Sequence, residues 1–273
     1  MGIAILIILV LSLGTYFYFQ WDAEQSKIRA EKQFREDWNK AQEEKKLKIR
    51  ADFKEFQKRF KAGFVDATDD HYPKFLFIDF ETTDLPSEYS VPSLKEIDDY
   101  PYVVQAGILV FNERGELISE FQSLFKTPET AVFSPEAVRI HKITKQRSQS
   151  EGSDIAAMFT FLKQHTSGST VLIAHNLKFD YFFLKLEAKR HGVKLPKLTK
   201  YCTMKETVNL CAIEKEFGRG YKYPKLKELA FHAFTGGHQG NLQINLHDAM
   251  TDIKLCAMCF FELKLHRTAI HDH

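Results

Sequence analysis

Hydrophobic positions divide the chain into three unlike stretches. Ile3 to Phe19 reads IAILIILVLSLGTYFYF, 17 consecutive residues without a charge. As a helix at ~1.5 Å per residue it reaches ~26 Å, the short end of what spans a bilayer. Tyr16, Tyr18 and Trp21 stand at its C-terminal edge, where interfacial aromatic side chains belong. From Asp22 to Ala62 there is no Pro or Gly, and Ala, Glu, Lys, Arg and Gln dominate, which predicts a long helix. Phe53, Phe56, Phe60 and Phe64 recur at spacings of 3, 4 and 4 and give one narrow apolar stripe, read as a seam against the protein's own domain. Beyond about residue 68, short apolar runs alternate with helical periods in the manner of an α/β domain.

Within that third stretch, KFLFIDF (Lys74 to Phe80) and PYVVQAGILVF (Pro101 to Phe111) predict buried strands. Asn112 to Gly115 predicts a turn into a third strand, ELISEFQSLF. Ser134 and Pro135 have the N-cap and N1 chemistry of a helix start, and Ser153 predicts the cap of a helix running to about His165. TVLIAHN (Thr170 to Asn176) reads as a strand feeding a helix that ends at His191-Gly192, a Gly C-cap. Pro224 to Phe234 and Asn245 to Leu265 are the last two predicted helices.

Composition narrows the class. Of 273 residues, 44% are hydrophobic and 27% charged, which excludes a disordered, collagen-like or polytopic membrane protein. The formal charge is only +2, so any nucleic-acid site must be a local feature. The stretch from Asp22 to Ala62 holds 13 Lys/Arg against 9 Asp/Glu, hence +4, and the remainder of the chain is −2. Four cysteines are too sparse for a disulfide framework and fit a reducing compartment. For the apolar run, a cleaved signal peptide competes with an uncleaved anchor. No Lys or Arg precedes it and it is long for a signal core, although Ser12-Leu13-Gly14 is a faint small-x-small site. Lys27, Arg29, Lys32 and Arg35 just behind it favour keeping that side in the cytoplasm. The expectation is a single-pass membrane protein: an anchor at 1–21, a charged helical spacer at 22–67, and a domain at 68–273 on the cytoplasmic side.

Candidate chemistry lies at the ends of the apolar runs. Strand alternation puts Asp79 and Glu81 on one face immediately after Phe75 to Ile78. Taken alone, such a pair reads equally as a solvated strand end. Asp180 follows another apolar strand, at a helix start that the dipole alone would favour. His247 and Asp252 begin the last helix; five residues turn ~500°, so they do not share a face by simple periodicity. Ala249, Ile253, Cys256, Phe260 and Leu263 form the expected core stripe of that helix, with Asp252 near its rim. Four carboxylates brought together repel, and hard divalent cations such as Mg²⁺ or Mn²⁺ relieve that. Two such ions can activate water and stabilise the leaving oxygen of a phosphodiester, and a neighbouring His can take the proton.

The segments FIDFETT, AHNLKFDYFFL and HDAMTD resemble, in order, the three motifs of the DEDDh exonuclease family, which includes the proofreading subunit of bacterial DNA polymerase III, ribonuclease T and oligoribonuclease. The resemblance covers about Lys74 to Leu263, and IHKIT (Ile140 to Thr144), YCTM (Tyr201 to Met204) and YPKLKELA (Tyr223 to Ala230) extend it. It implies an RNase H-like α/β fold, a mixed five-stranded sheet flanked by helices. It implies hydrolysis of DNA or RNA from a single-stranded 3′ end with release of nucleoside monophosphates. It further implies two metal ions, Mg²⁺ or Mn²⁺, held by Asp79, Glu81, Asp180 and Asp252, with His247 as general base. Thr82, His141 and Asn176 occupy positions that contact the terminal nucleotide in such enzymes. A sister subfamily has Tyr four positions before the last Asp; Asp248 stands there, so this is the His type.

The sequence departs from that pattern at Asp84 and Lys142, where Gly is usual, and the segment Asp84 to Tyr100 is long for a link between neighbouring strands. Cys256 and Cys259 have a metal-binding spacing but lie mid-helix in an apolar stripe and read as buried thiols. His266, His271 and His273 read as an exposed tail, and Phe182 and Phe183 as core. Two alternatives remain open at this level: a catalytically idle RNase H-like binding module tethered to the membrane, and a polymerase-dependent proofreading subunit, against which a bilayer anchor argues. Oligomeric state is not legible.

Overall fold

A computed structural model describes residues 75–237, 247–263 and 265, together with positions 24–26, 28–29, 32–33, 35–37, 40 and 44. The chain divides into two units, Met1–Glu55 and Phe56–His273. In the first unit the described positions are helical, with Gln33 donating to Asp37 four residues on, as the charged stretch predicts. Among the described residues no helix is long and apolar enough to cross a membrane. The apolar run at 3–19, the Phe53–Phe64 stripe and the three C-terminal histidines lie outside the described residues.

The second unit is built on a mixed five-stranded sheet. Its strands are β1 (Phe75–Thr82), β2 (Val103–Phe111), β3 (Leu117–Leu124), β4 (Val171–Ala174) and β5 (Thr199–Cys202), in spatial order β3-β2-β1-β4-β5. β1 and β2, and β2 and β3, pair antiparallel; β1 with β4 and β4 with β5 pair parallel. The fully buried alternation of β2 puts it in the interior of the sheet, and Gly115 at φ +77° makes the turn into β3. The α/β class and the five-stranded mixed sheet are therefore as expected.

Eight helices surround the sheet among the described residues. They are α1 (Pro135–His141), α2 (Lys145–Glu151), α3 (Ala156–His165), α4 (Leu177–Arg190), α5 (Thr203–Glu206), α6 (Val208–Cys211), α7 (Leu226–Thr235) and α8 (Ala249–Glu262). Ser134 caps α1, its hydroxyl accepting from Ala137 N with Pro135 at N1, and α4 ends at His191 with Gly192 left-handed at φ +63°. Ser153 does not cap α3. Its hydroxyl is drawn to the Leu124 carbonyl, and Asp154 accepts the Ala156 N–H at the helix start instead. Leu263, placed in the core stripe by periodicity, is only half-buried just past the end of α8.

The two faces of β1 have different partners. Leu76, Ile78 and Phe80 enter the core shared with α3 and α4. Phe75 and Phe77 point the other way and meet Phe260 of α8 at ring-centroid distances of 5.4 and 5.3 Å. Burying these large aromatics stabilises that interface by roughly 1.5–3 kcal/mol each. All four cysteines are free and buried, in keeping with the core reading of Cys256 and Cys259.

Candidate active site

The face of β1 that packs Phe75 and Phe77 continues with Asp79 and Glu81. Along α8, Phe260 is preceded at intervals of four by Cys256 and Asp252, so Asp252 extends the same row as the core residues rather than lying at its rim. From Phe77 to Glu81 the strand advances ~13 Å, and from Phe260 to Asp252 the helix returns ~12 Å. The aromatic contact at one end therefore sets the carboxylates opposite each other at the other. Asp79, Glu81 and Asp252 offer oxygens that all lie within 4.8 Å of one another.

Close approach of α8 to the sheet depends on Gly107 of β2, the residue paired with Asp79. A Cβ there would stand 2.6 Å from the Ala249 carbonyl carbon and oxygen. The start of α8 is clamped to the same strand. Gln105 Nε2 donates to Asp248 Oδ1 (3.0 Å) and Gln105 Oε1 accepts from Ala249 N (3.1 Å), while Gln122 adds a second donor to Asp248 Oδ1 (3.1 Å). The other Asp248 oxygen caps the helix, accepting from the Thr251 N–H and hydroxyl. Asp248 and Gln105 were not among the expected site residues. Their signals were a lone polar side chain within the apolar run of β2 and an Asp at a helix start.

Asp180 arrives from α4. Pairing of β1 with β4 ends at Phe77, and the Phe80 N–H beyond it donates to Asp180 Oδ1 at 3.1 Å. Asp180 is almost fully buried and is not within the 4.8 Å set, yet its charge raises both Asp79 and Glu81. His247 precedes α8 with φ +87°, and its N–H donates to Asp252 Oδ1 at 3.1 Å, so base and ligand candidates are tied through the backbone. The residue as a whole is exposed.

Of the expected substrate contacts, Thr82 is buried and its hydroxyl donates to the Asp84 carbonyl. Asn176 stands at the start of α4 in the left-handed region, φ +74°. His141 is buried with both ring nitrogens engaged by its own chain. Ile143 N donates to Nδ1, so Nε2 carries the proton and donates it to the Thr82 carbonyl. Lys142, where the resembled pattern has Gly, is left-handed at φ +61°, the conformation that explains the Gly. His175 is likewise committed, to Thr203 Oγ1 and the Pro224 carbonyl, and burial pushes it down to about 4.

The electrostatics are those of crowded carboxylates. Burial first, then the charges of Asp180, Asp252, Glu81 and Asp248, hold Asp79 well above the usual range. Burial and then Asp252, Asp180 and Asp248 push Glu81 up to about 8, and burial with Asp248 pushes Asp252 up to about 6 against the opposing His247 N–H. His247 moves the other way, lowered by partial burial and then by Lys227, Arg139 and Lys142. Partly buried carboxylates that are costly to ionise together, with no Lys or Arg paired to them among the described residues, fit a hard, oxygen-seeking divalent cation.

A model of the RNase T family, described as an exonuclease, matches residues 76–260. The chain belongs to this exonuclease family. The matched segment spans β1 through α8, and so includes the carboxylate cluster and its clamp. Among solved structures, this exonuclease domain is similar to E. coli exonuclease I in complex with a dA16 oligonucleotide, with TM-score 0.54 and 19% identity over 72% of this chain and 42% of that one. The complex with a dT13 oligonucleotide gives 0.55 and 18% over 72% and 42%. The zinc-ion-bound form of the single-stranded DNA complex gives 0.54 and 17% over 72% and 41%. At such identities the likeness is one of fold, and the chain spans about two fifths of the length of these structures. No curated protein matches it.

Proposed function

We propose that the domain is a metal-dependent 3′–5′ exonuclease that hydrolyses single-stranded DNA or RNA from the 3′ end and releases nucleoside monophosphates. The observation that carries this reading is the Asp79–Glu81–Asp252 cluster at the end of β1 in a chain of an exonuclease family. Asp79, Glu81 and Asp252, with Asp180 beside them, would hold two ions, Mg²⁺ or Mn²⁺. Bound there, such ions would supply neutralisation of charge developing on the phosphodiester and would make water a stronger acid.

The remaining work falls to the chain's own groups. His247 takes the proton of the attacking water at its imidazole nitrogen. Partial burial first, and then Lys227, Arg139 and Lys142, support that role, because by lowering its pKa they favour the neutral imidazole that can accept a proton. Thr82 and Asn176 position the terminal nucleotide. His141 acts through Thr82, whose carbonyl it holds. Asp248, Gln105 and Gly107 set the distance between α8 and β1 and thereby the spacing of the carboxylates. In the whole protein, the apolar run at 3–19 serves as a membrane anchor with the domain on the cytoplasmic side, as the cations at 27–35 favour.

The test uses 5′-labelled single-stranded DNA and RNA of equal sequence with Mn²⁺, Mg²⁺ or EDTA, beside an Asp79→Asn control. A ladder shortening from the 3′ end, dependent on metal and absent in the control, is expected. Internal cuts, 5′-end shortening, or equal activity of Asp79→Asn would overturn the assignment.

A further inference from the structure

Residues Asp84 to Pro101 leave β1 three positions after Glu81 and return to β2. The base of this excursion is stapled. Thr83 N donates to the Tyr102 carbonyl (2.8 Å) and Tyr102 N to Thr83 Oγ1 (3.0 Å). Its far side is pinned to α4. Arg190 donates to the carbonyls of Ile97 and Tyr100 (2.6 Å each) and Pro101 (2.9 Å), and Lys189 donates to that of Pro92. The segment is thus held against the helix that carries Asp180.

What it presents beside the site is aromatic. Tyr89 is 38% exposed and rests edge-on against Phe182 at 5.4 Å, and its phenol is raised first by partial burial and then by the charge of Asp180. Lys178 Nζ sits 4.2 Å from the Tyr89 ring centroid. Lys178 is an exposed cation in the first turn of α4, where the helix dipole disfavours positive charge, and it makes no ion pair with a described residue. The segment from 84 to 100 itself carries five carboxylates and one lysine, a net −4. Such a segment repels phosphate, so its favourable contact with a nucleic acid has to be made through the base, with the cation coming from α4.

We propose that Tyr89 stacks on a nucleobase near the 3′ end of the substrate strand, and that Lys178, released from the ring face, pairs with a phosphate of the same strand. The proposal rests on the exonuclease reading for the identity of the strand. It makes the excursion a wall of the cleft that recognises an unpaired base, because a base within a duplex has no face free to stack. Base–aromatic stacking is worth about 5- to 150-fold in affinity.

The test is an abasic scan. Full-length protein in detergent is titrated, by fluorescence anisotropy in Ca²⁺, with single-stranded DNA carrying one abasic nucleotide at each of the last several positions. At one position the unaltered protein should lose about 5- to 150-fold in affinity. Tyr89→Ala should lose a similar factor on intact DNA and nothing further at that position, and Tyr89→Phe should restore most of the loss. Equal additional losses for Tyr89→Ala at every position, or unaltered affinity of Tyr89→Ala for intact DNA, would overturn the proposal. The same samples in Mn²⁺ separate the two readings. Shortening without Tyr89-dependent base preference removes the stacking role alone. Tyr89-dependent binding without shortening removes the exonuclease reading alone, and absence of binding removes both.

Discussion

Gly107→Ala isolates the idea that strand-to-helix spacing sets the carboxylate geometry. The added Cβ would lie 2.6 Å from Ala249 C and O and 2.8 Å from Met250 N, all backbone atoms that no rotamer change can move. Ordinary carbon contacts begin near 3.5 Å, so the start of α8 must retreat by about 0.9 Å. Overpacking of this kind costs roughly 1–3 kcal/mol. Coordination by a small divalent cation tolerates about 0.2 Å in ligand distance, and a displacement near 1 Å at a reacting centre costs on the order of 100-fold in rate. Single-turnover hydrolysis of a 3′ single strand at saturating Mn²⁺ should therefore fall about 100-fold, with a higher metal concentration needed for half-maximal rate. The loss should act through Asp252. In an Asp252→Asn background, Gly107→Ala should lower the residual rate by far less, the non-additivity expected of two changes to one site. A Gly107→Ala protein with unaltered rate and metal requirement would refute the spacing argument, as would full additivity with Asp252→Asn.

Three further outcomes are expected. Glu81 at about 8 and Asp252 at about 6 both stand above ordinary carboxylate values. The folded state thus binds more protons than the unfolded one across pH 4 to 8, and the stability these groups provide is present below pH 4 and lost as pH rises toward 8. In EDTA, Tm should fall over that range, and Mg²⁺ or Mn²⁺ should raise Tm more at pH 8 than at pH 5; a metal effect independent of pH would contradict the carboxylate cluster as its site. His247→Ala should lower turnover by about 10²–10⁴-fold while leaving the metal-induced Tm rise in place, and loss of both together would recast His247 as a structural residue. Removing residues 1–21 should move the protein from the membrane to the soluble fraction, whereas a full-length chain that is already soluble and uncleaved would dismiss the anchor.

Strands β1, β2 and β4 were legible as apolar runs, and β3, half of whose residues are polar, from the Asn112–Gly115 turn that leads into it. β5 has no such signature: Thr199–Cys202 is four residues, two of them polar, and it exists because β4 offers a parallel edge. Ser153 has cap chemistry in sequence but does not cap α3, for a related reason. A hydroxyl has several acceptors within reach, and only the fold brings the Leu124 carbonyl to it. Asp79 and Glu81 could be placed on a shared face by alternation alone. That Asp252 meets them could not, since it depends on how α8 lies across β1, and the clamp from Gln105 to Asp248 joins residues 143 positions apart. Short-range periodicity records which face a residue takes, but not which distant face it will meet.

Cys256 lies in the row between Asp252 and Phe260, and Cys259 is buried on the same helix. Burial holds both thiols well above their ordinary pKa, so neither offers a thiolate to an alkylating reagent while α8 stays in place. Labelling then counts the openings of the helix that carries Asp252. A cation that binds only the closed form, at a hundred times its dissociation constant, lowers the open population about 100-fold. The rate at which these sulfurs are modified is therefore a nucleic-acid-free gauge of metal occupancy, built into the packing between helix and sheet.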